Sequence, residues 1–363
     1  STKSWVIPNS PTALAKIRIR MSNDTTVSVI SSSTFTISSI ELVNFTGNEN
    51  VKIGKIYPIK WQSYFLNNLK IEFSTNNGST WTQIVNSTPA SNGQYNWLIP
   101  NIAGNNYLIK ISSSADSEIK DSSKSTFRVA NVSLNFPNGN EVFQANTIKN
   151  ILWTKTSNVA RVKIDFSSNN GKTWSNIISN TTLDSSLSWT VPNILSDSCR
   201  IKITDMVSNE ITDSSGMFTI ANIKFIKPVA GSVIQANKPV VIKWSSKNIQ
   251  NLTIEYTTNN GLVWNTIKSN TPYYPDSLIW NVPDLVTTNL KLKIYDPLHP
   301  EIQDTTQFSI KIAKLQLTSL TGGENIQAGK QFNITWIDSL VTTVKLEYST
   351  NNGLSWRIIS TAI

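Results

Sequence analysis

Side chains that could do acid–base or nucleophilic chemistry are scarce in this chain of 363 residues. It has one histidine, His299, between Pro297 and Pro300, and one cysteine, Cys199, in an apolar alternation. No Ser-His-Asp or Cys-His set can recur, and neither a phosphate-binding glycine loop nor metal-type Cys/His spacing occurs. We therefore predict a protein that is not an enzyme, with no catalytic residue and no cofactor. Cys199 cannot form an internal disulfide, and we predict a small core residue.

Carboxylates recur in the modules, and their oxygens could bind calcium. One group precedes the last strand of a repeat and consists of Asp121, Asp213 and Asp304. A second group ends the preceding strand in two modules and consists of Asp205 and Asp296. Ser31 replaces the carboxylate in the first segment, so we favour turn caps over calcium ligands and predict no metal site. A third group alternates away from the core and is expected to be solvated: Glu72, Asp165, Glu255 and Glu347.

The elements that must position these residues are set by a repeat. All 12 tryptophans fall into three classes. One class ends a short apolar run, a second follows an Asn-Gly turn, and a third opens a Trp-x-Ile/Val-Pro motif. In that order they are Trp61, Trp153, Trp244 and Trp336; Trp81, Trp174, Trp264 and Trp356; and Trp5, Trp97, Trp189 and Trp280. Members of a class lie about 91 residues apart, so the chain is a tandem array of one module.

Each module has the pattern of short β-strands. In residues 131–221, apolar and polar residues alternate over about seven segments that are separated by Gly, Pro and Asn turn signals. Alternation of this kind buries one face of a strand. About seven such strands are typical of a sandwich of immunoglobulin or fibronectin type. We predict an all-β fold, a tandem array of Ig-like antiparallel β-sandwich modules of about 91 residues.

The tryptophan classes differ in their predicted surroundings. Alternation with Ile59 and Tyr95 places Trp61 and Trp97 on inward faces, so these two classes are predicted to form the core. The class after the turn stands at a sheet end, where a ring could stack on a sugar, although packing under the hairpin is favoured. The candidates for carbohydrate binding are therefore Trp81, Trp174, Trp264 and Trp356.

The turn before each of these candidates recurs almost unchanged. It reads Ser74-Thr75-Asn76-Asn77-Gly78 in the first copy, with close equivalents at 167–171, 257–261 and 349–353. Asn and Gly tolerate the positive φ that tight hairpins need, and the flanking Ser and Asn side chains can bond back to turn amides. We favour a locked structural hairpin over a ligand loop.

The full pattern resembles a known class of module. It runs from an Ile-x-Trp strand through Tyr/Phe-Ser-Thr-Asn-Asn-Gly-x-x-Trp, Trp-x-Val-Pro and Ile-Lys-Ile to Asp-Ser-Ser and Phe-x-Ile. This looks like the Ig-like tandem modules of large secreted surface proteins in Bacteroidetes-type bacteria. It is also similar to the sandwich domain of the fungal Kre9/Knh1 cell-wall family. The resemblance implies a spacer, stalk or adhesive repeat, while the fold by itself does not carry function.

Charge and hydropathy argue against several partners. Lys and Arg number 32 against 23 Asp and Glu, a net charge of +9 that is spread over all modules without a basic stripe. We therefore predict no nucleic-acid partner, with weak attraction to acidic polysaccharide as a possibility. No apolar run reaches the roughly 18 to 20 residues of a membrane span. We expect an extracellular or cell-surface location.

Short joints divide the chain into modules. Residues 39–130, 131–221 and 222–311 are predicted as whole modules, and the absence of Gly/Ser or Pro-rich linkers predicts a rod-like array. Residues 1–38 carry only the late strands of a module and residues 312–363 only the early ones. The two end segments together have about the length of one module.

Each end segment alone would expose half a sandwich core, a large apolar liability. We expect the C-terminal half of one copy to be completed by the N-terminal half of the next, or by adjacent modules of a longer chain. A head-to-tail contact of this kind is heterologous and generates a fibre. The shared core is predicted to contain Trp5, Ile17, Ile19, Phe35, Trp336, Leu346, Tyr348 and Trp356.

Together these patterns favour a structural extracellular protein, a rod-like repeat array that forms a fibre, stalk or giant surface adhesin. Its predicted partners are copies of itself or neighbouring modules. A carbohydrate-binding adhesin is one alternative, and the accessory region of a secreted hydrolase is another.

Overall fold

The computed structural model describes residues 1–361 as a succession of short β-strands with one short 3-10 helix, Ala90–Asn92. The strands assemble into two-layer sandwiches that follow one another along the chain. The prediction of an all-β tandem array of antiparallel sandwiches is confirmed. Among these residues, no helix has the length and apolarity needed to cross a membrane.

The N-terminal segment, residues 1–38, is called the head and has four short strands. They are β1 (Thr12–Ala15), β2 (Arg18–Arg20), β3 (Ser28–Ile30) and β4 (Phe35–Ile37). The first sandwich has nine strands. They are β5 (Ser39–Leu42), β6 (Asn50–Lys52), β7 (Ile56–Tyr64), β8 (Asn68–Ser74), β9 (Thr82–Pro89), β10 (Gln94–Leu98), β11 (Gly104–Ser113), β12 (Lys120–Ser122) and β13 (Phe127–Ala130).

The second sandwich repeats this order. Its strands are β14 (Val132–Phe136), β15 (Val142–Gln144), β16 (Ile148–Lys155), β17 (Val162–Ser167), β18 (Ser175–Thr181), β19 (Ser186–Thr190), β20 (Arg200–Asp205), β21 (Thr212–Ser214) and β22 (Thr219–Lys227). Strand β22 continues into the third sandwich. That sandwich adds β23 (Val233–Gln235), β24 (Pro239–Lys247), β25 (Asn251–Thr257), β26 (Asn265–Pro272), β27 (Ser277–Asn281), β28 (Thr287–Tyr295), β29 (Gln303–Thr305) and β30 (Ile310–Leu317). The segment after it, residues 313–361, is called the tail and adds β31 (Trp336–Ser339), β32 (Leu346–Tyr348) and β33 (Arg357–Ser360).

Each sandwich packs a small sheet against a larger one. In the first, the small sheet has the order β10-β7-β5 and the larger sheet the order β6-β13-β11-β8-β9, with β12 also paired to β11. All neighbours are antiparallel except β6 and β13, which run parallel. The third sandwich repeats the larger sheet as β23-β30-β28-β25-β26, with β29 paired to β28. Strands β8, β9 and β11 therefore share one sheet, and the side chains on its outer face come together.

Each sandwich has its own apolar core. In the three complete modules, the tryptophans of two classes are buried there, as the alternation predicts. Their exposed fractions are 3% for Trp61, 1% for Trp153 and Trp244, 4% for Trp97, and 7% for Trp189 and Trp280. Cys199 is fully buried in the second core, which confirms the prediction made for it. Burial raises the pKa of its thiol to about 11.

The joints between sandwiches contain almost no spare chain. Only Asn131 separates β13 from β14, while β22 and β30 run through the next two joints without a break. Ala130 and Ala221 pack in the core that follows each joint, and Ile312 is fully buried in the third core. The residues at each joint therefore belong to the packing of the sandwiches rather than to a free linker.

The chain exposes much more surface than a compact protein of its mass. Its accessible surface is 21596 Å². A compact monomer of 40.3 kDa would expose about 14500 Å². The excess follows from arranging separate cores in series and from the open faces of the head and tail.

Candidate functional site

The hairpin between β8 and β9, which recurs in the later modules, is locked by side-chain hydrogen bonds. Ser74 Oγ accepts bonds from the amides of Asn76 at 3.2 Å and Gly78 at 2.9 Å, and Asn76 Oδ1 accepts one from the Thr80 amide at 2.9 Å. Asn77 and Gly78 have φ values of 56° and 85°, in the left-handed region that Asn and Gly tolerate best. The equivalent bonds to the glycine amide are made by Ser167, Thr257 and Ser349. The prediction of a locked hairpin is confirmed.

The tryptophan after each hairpin belongs to a cluster on the outer face of the larger sheet. In the first module, Lys110 places Nζ 4.3 Å from the centre of the Trp81 ring and 2.9 Å from Glu72 Oε2. Glu72 on β8 lies directly opposite Lys110 on β11 in the strand register. A cation over an aromatic ring is stabilised by about 0.5–2 kcal/mol. We call this arrangement the cation–tryptophan–acid cluster.

The cluster recurs in every complete module. Its other copies are Lys202–Trp174–Asp165 and Lys293–Trp264–Glu255. The ammonium lies 4.2 and 4.6 Å from the ring centre, and 3.9 and 2.6 Å from the carboxylate. The lysines were not among the residues predicted from the sequence, although they lie in the Ile-Lys-Ile motif of the first two modules and in Leu292-Lys293-Ile294 of the third. Each lysine covers one face of a tryptophan that was a candidate for stacking on a sugar.

The acids of this cluster are paired rather than solvated, so the expectation of free solvation is wrong. The Glu72 side chain is 13% exposed and lies between Lys70 and Lys110, at 2.8 and 2.9 Å. Partial burial acts to raise the pKa of Glu72. Hydrogen bonds and charges from the two lysines outweigh that effect, and the pKa is lowered from its ordinary value. The cluster therefore holds an ionised acid between two cations.

A second recurring carboxylate connects the two sheets of each sandwich. Asp213 Oδ2 on β21 accepts a hydrogen bond of 2.8 Å from the Leu134 amide on β14, which belongs to the other sheet. The matching bonds join Asp121 to Leu42 at 2.7 Å and Asp304 to Phe225 at 2.8 Å. For these three carboxylates the turn-cap interpretation is wrong, because they bond to a strand of the opposite sheet rather than to a turn.

The head has no carboxylate at the equivalent position, and that position is Val29 rather than Ser31. The β2–β3 hairpin pairs Ile19 with Val29, as β11 and β12 pair Ile111 with Asp121. Val29 therefore occupies the carboxylate position, and Ser31 lies two residues beyond it.

The remaining aspartates, Asp205 and Asp296, are engaged by neighbouring groups. Asp205 Oδ2 lies 2.6 Å from Arg128 Nη1. Asp296 Oδ1 accepts a bond of 2.9 Å from the Leu298 amide, and its Oδ2 lies 3.1 Å from His299 Nδ1. Within residues 1–361, no group of three His, Cys, Asp or Glu side chains is arranged to hold a metal ion. The one histidine thus takes part in a local polar contact.

Charged side chains cross the joint between the first and second modules. Arg128 pairs with Asp205, whose side chain is fully buried, and Lys52 Nζ donates to the Thr212 carbonyl at 2.6 Å and lies 3.7 Å from Asp213. Burial lowers the pKa of Lys52, and the charge of Asp213 only partly offsets it. Removing one member of a buried ion pair costs about 3–5 kcal/mol, because the other charge is left without a partner. This joint is therefore a specific contact.

The next joint uses the same strand edges with amide chemistry. Gln144 Nε2 donates to the Gln303 carbonyl at 2.7 Å, and its Oε1 accepts from the Gln303 amide at 3.2 Å. Gln144 occupies the position of Lys52, since each pairs with the alanine at the joint, Ala221 or Ala130, in a parallel ladder. The joints are equivalent in geometry and differ in charge.

Residues predicted to share a core between head and tail lie apart within the chain. No strand of the head pairs with a strand of the tail in the described part of the sequence. The more exposed members are Trp5 (53%), Ile17 (45%), Ile19 (69%), Tyr348 (43%) and Trp356 (60%). The half-buried members are Phe35, Trp336 and Leu346. The shared interface remains a prediction.

Comparison with known proteins finds likenesses among solved structures. A scan of protein-family models and a search of curated proteins give no match. Fibronectin(III)-like modules of Clostridium thermocellum CbhA share 19% identity over 50% of this chain and 92% of theirs, with a TM-score of 0.21. Titin domains I67-I69 share 10% identity over 76% and 99%, with a TM-score of 0.30. Drosophila OTK extracellular domains 3-5 share 10% over 76% and 97%, with a TM-score of 0.28. Such low scores and identities carry no argument about function.

Proposed function

We propose that this chain is a structural array, a rod-like spacer in an extracellular fibre, stalk or giant surface adhesin. The observation that carries the proposal is the continuity of β22 and β30 through two joints. Strand β22 is hydrogen-bonded in two sandwiches, and β30 in the third sandwich and the tail, so neither joint has a free linker at which it can bend. The array is suited to holding its two ends apart.

Side chains at the joints support the same conclusion. The Arg128–Asp205 pair and the Gln144–Gln303 pair each join one edge of a sandwich to a strand of the next. These polar contacts have directional geometry, so they fix the rotation of one module about the next as well as its distance. The resemblance of the repeat to modules of large secreted bacterial surface proteins supports an extracellular location.

Polymerisation by head-to-tail contacts is the finer part of the proposal. The head and tail expose apolar side chains that belong to opposite halves of a sandwich, including Trp5 and Trp356. Exposed apolar groups of this size are costly in water. We propose that the tail of one copy is covered by the head of another, or by adjacent modules of a longer chain.

Small-angle X-ray scattering of the intact chain tests the rod. A compact chain of 363 residues would have a radius of gyration of about 21 Å. We expect a value far above this at concentrations where the chain is monomeric. Insertion of Gly-Ser-Gly after Ala221 should shorten the mean end-to-end distance, because it interrupts β22. The same insertion after Lys172, in an exposed hairpin, is the matched control. A value near that of a compact chain for the unaltered protein would refute the rod.

Carbohydrate binding is the alternative that the tryptophans suggested. Lysines cover one face of the ring in Trp81, Trp174 and Trp264, whereas Trp356 is 60% exposed. A pull-down of the intact chain on insoluble polysaccharides, with Trp356→Ala as the comparison, tests this alternative. Binding by the unaltered chain that is lost in Trp356→Ala would favour an adhesin over a spacer.

A further inference from the structure

The head carries a cation at the position that lysine occupies in every complete module. Its β2–β3 hairpin pairs Arg18 with Ile30, as β11 and β12 pair Lys110 with Ser122. A hydrogen bond confirms the equivalence, since the Ile17 amide donates to Ser31 Oγ, just as the amide before Lys110 donates to the hydroxyl of Ser123. Arg18 is exposed. The head thus supplies the cation of a cluster and neither of its other two members.

The tail carries the complementary members. Glu347 pairs with Ile358 in the β32–β33 hairpin, as Glu255 pairs with Thr266 in the third module. The locked Asn hairpin follows, and Trp356 lies over its glycine as the tryptophans of the complete modules do. Trp356 is 60% exposed, and within residues 1–361 the one cation paired with Glu347 is Lys345, at 2.6 Å. The tail thus supplies the acid and the aromatic ring, with the cation missing.

We propose that Arg18 of one copy inserts beside Glu347 and Trp356 of a second copy, and completes a fourth cation–tryptophan–acid cluster between chains. This inference rests on the head-to-tail contact proposed above and assigns the residues that select it. Opposite charges face each other across the contact, and the arginine plane can stack on the indole as well as pair with the carboxylate. Both features oppose pairing of two heads or of two tails.

The repeat also fixes the strand register of this contact. In the first module, Lys110 lies opposite Glu72 and Ile111 opposite Ile71. The same register places Arg18 opposite Glu347 and Ile19 opposite Leu346. A shift by one residue would turn the apolar side chains of the head to the outer face. A shift by two would place Arg18 opposite Lys345, with like charges together. The pairing is therefore defined to one residue.

A second copy is the occupant to which this proposal commits. Three complete sandwiches joined without linkers stand between the head and the tail of one chain, so its own head cannot reach its tail. When the head of one copy pairs with the tail of another, the resulting pair still has a free tail at one end and a free head at the other. Such contacts are heterologous and do not close, so they extend into a filament.

Cysteine cross-linking of the intact chain tests the pairing. The one natural thiol, Cys199, is fully buried, so new cysteines on the surface are the reactive ones. In R18C/E347C, mild oxidation should give a ladder of multiples of 40.3 kDa on a non-reducing gel. In R18C/K345C the Cα atoms would be diagonal neighbours about 7–8 Å apart, too far for a disulfide. That variant, and each single-cysteine variant, should give no ladder.

Charge exchange gives a second readout on the same contact. Each of R18E and E347R should weaken self-association at least tenfold in analytical ultracentrifugation, and R18E/E347R should recover most of it. The change K172E, on an exposed hairpin of the second module, is the matched control and should have no effect.

The outcomes separate this inference from the proposed function. A ladder specific to R18C/E347C together with recovery in the double exchange supports the pairing. Self-association of the unaltered chain without that ladder would overturn the assigned residues and leave the head-to-tail contact in place. A chain that stays monomeric at hundreds of micromolar and forms no ladder would overturn pairing with a second copy. The rod itself is judged independently by scattering from the monomer.

Discussion

Replacing Trp189 by alanine tests how much of a module's stability depends on the tryptophan of the Trp-x-Val-Pro motif. The side chain is 7% exposed and lies 5.7 Å from the Phe166 ring and 6.3 Å from the Phe218 ring, between centroids. A buried tryptophan removes about 200 Å² from water, which at about 25 cal/mol per Å² is worth about 5 kcal/mol. Partial relaxation of the cavity gives an expected loss of about 3–5 kcal/mol.

The buried thiol of Cys199 allows this loss to be measured in the intact chain. It belongs to the same core as Trp189 and is the only cysteine in the sequence, so its labelling reports the opening of the second module. Under conditions where opening is a rapid pre-equilibrium, the labelling rate is proportional to the open population. A loss of 3–5 kcal/mol then accelerates labelling about 150-fold to 5000-fold, at about 1.36 kcal/mol for each factor of ten. Urea dependence of the rate distinguishes opening of the whole module from local fraying.

Two variants provide the comparisons. Trp174→Ala removes a half-buried ring that Lys202 covers at 4.2 Å. The expected loss in free energy of unfolding is about 1–2 kcal/mol, because the contact with the lysine accounts for most of it. Trp280 lies in the third core. Trp280→Ala should change the labelling rate of Cys199 by less than about fivefold, because the two sites are distant and share no partners. Equal, small effects of Trp189→Ala and Trp174→Ala would refute the division into core and outer-face tryptophans.

Three further expectations follow from the recurring carboxylates. Asp213→Ala should accelerate the labelling of Cys199 about 10-fold to 150-fold, because the Leu134 amide loses a charged partner worth about 1.5–3 kcal/mol; no change would show that the two sheets do not depend on this bond. The melting temperature of the chain should be the same in EDTA and in millimolar calcium, since Asp205 and Asp213 are already engaged by protein groups, and a clear rise with calcium would reveal a metal site. Because the folded pKa of Glu72 is lowered, its stabilisation is fully present above the ordinary glutamate value of about 4.3 and is lost as the pH falls through the folded value. Urea unfolding of Glu72→Gln followed by tryptophan fluorescence should therefore show a smaller loss of stability between pH 5 and pH 3 than the unaltered chain, and identical pH dependence would contradict the pairing.

Much of the fold could be predicted from the sequence because the repeat supplies internal copies of each signal. The burial of Trp61 and Trp97 follows from alternation with their neighbours, and the locked hairpin follows from Ser74, Asn76 and Gly78 within one short segment. These features depend on interactions between residues that are close along the chain, or on the apolar face of a single strand. Spacing and residue type are sufficient to specify them.

The features that required the tertiary structure join residues distant in sequence. Asp213 bonds to the amide of Leu134, 79 positions earlier, and was mistaken for a turn cap because its partner lies in the opposite sheet. Lys110 and Glu72 lie on β11 and β8, and Trp81 directly precedes β9, so only the register of the larger sheet brings them to one cluster. Arg128 reaches Asp205 only because the joint holds two sandwiches edge to edge.

The sequence by itself therefore determined the period, the all-β class, the core tryptophans and the locked turns, since each is encoded by local spacing and apolar content. The tertiary structure decided which polar side chains meet across strands and joints. The reason is physical: hydrogen-bond register and sheet packing set those distances, and a residue's own neighbours in the chain do not contain that information.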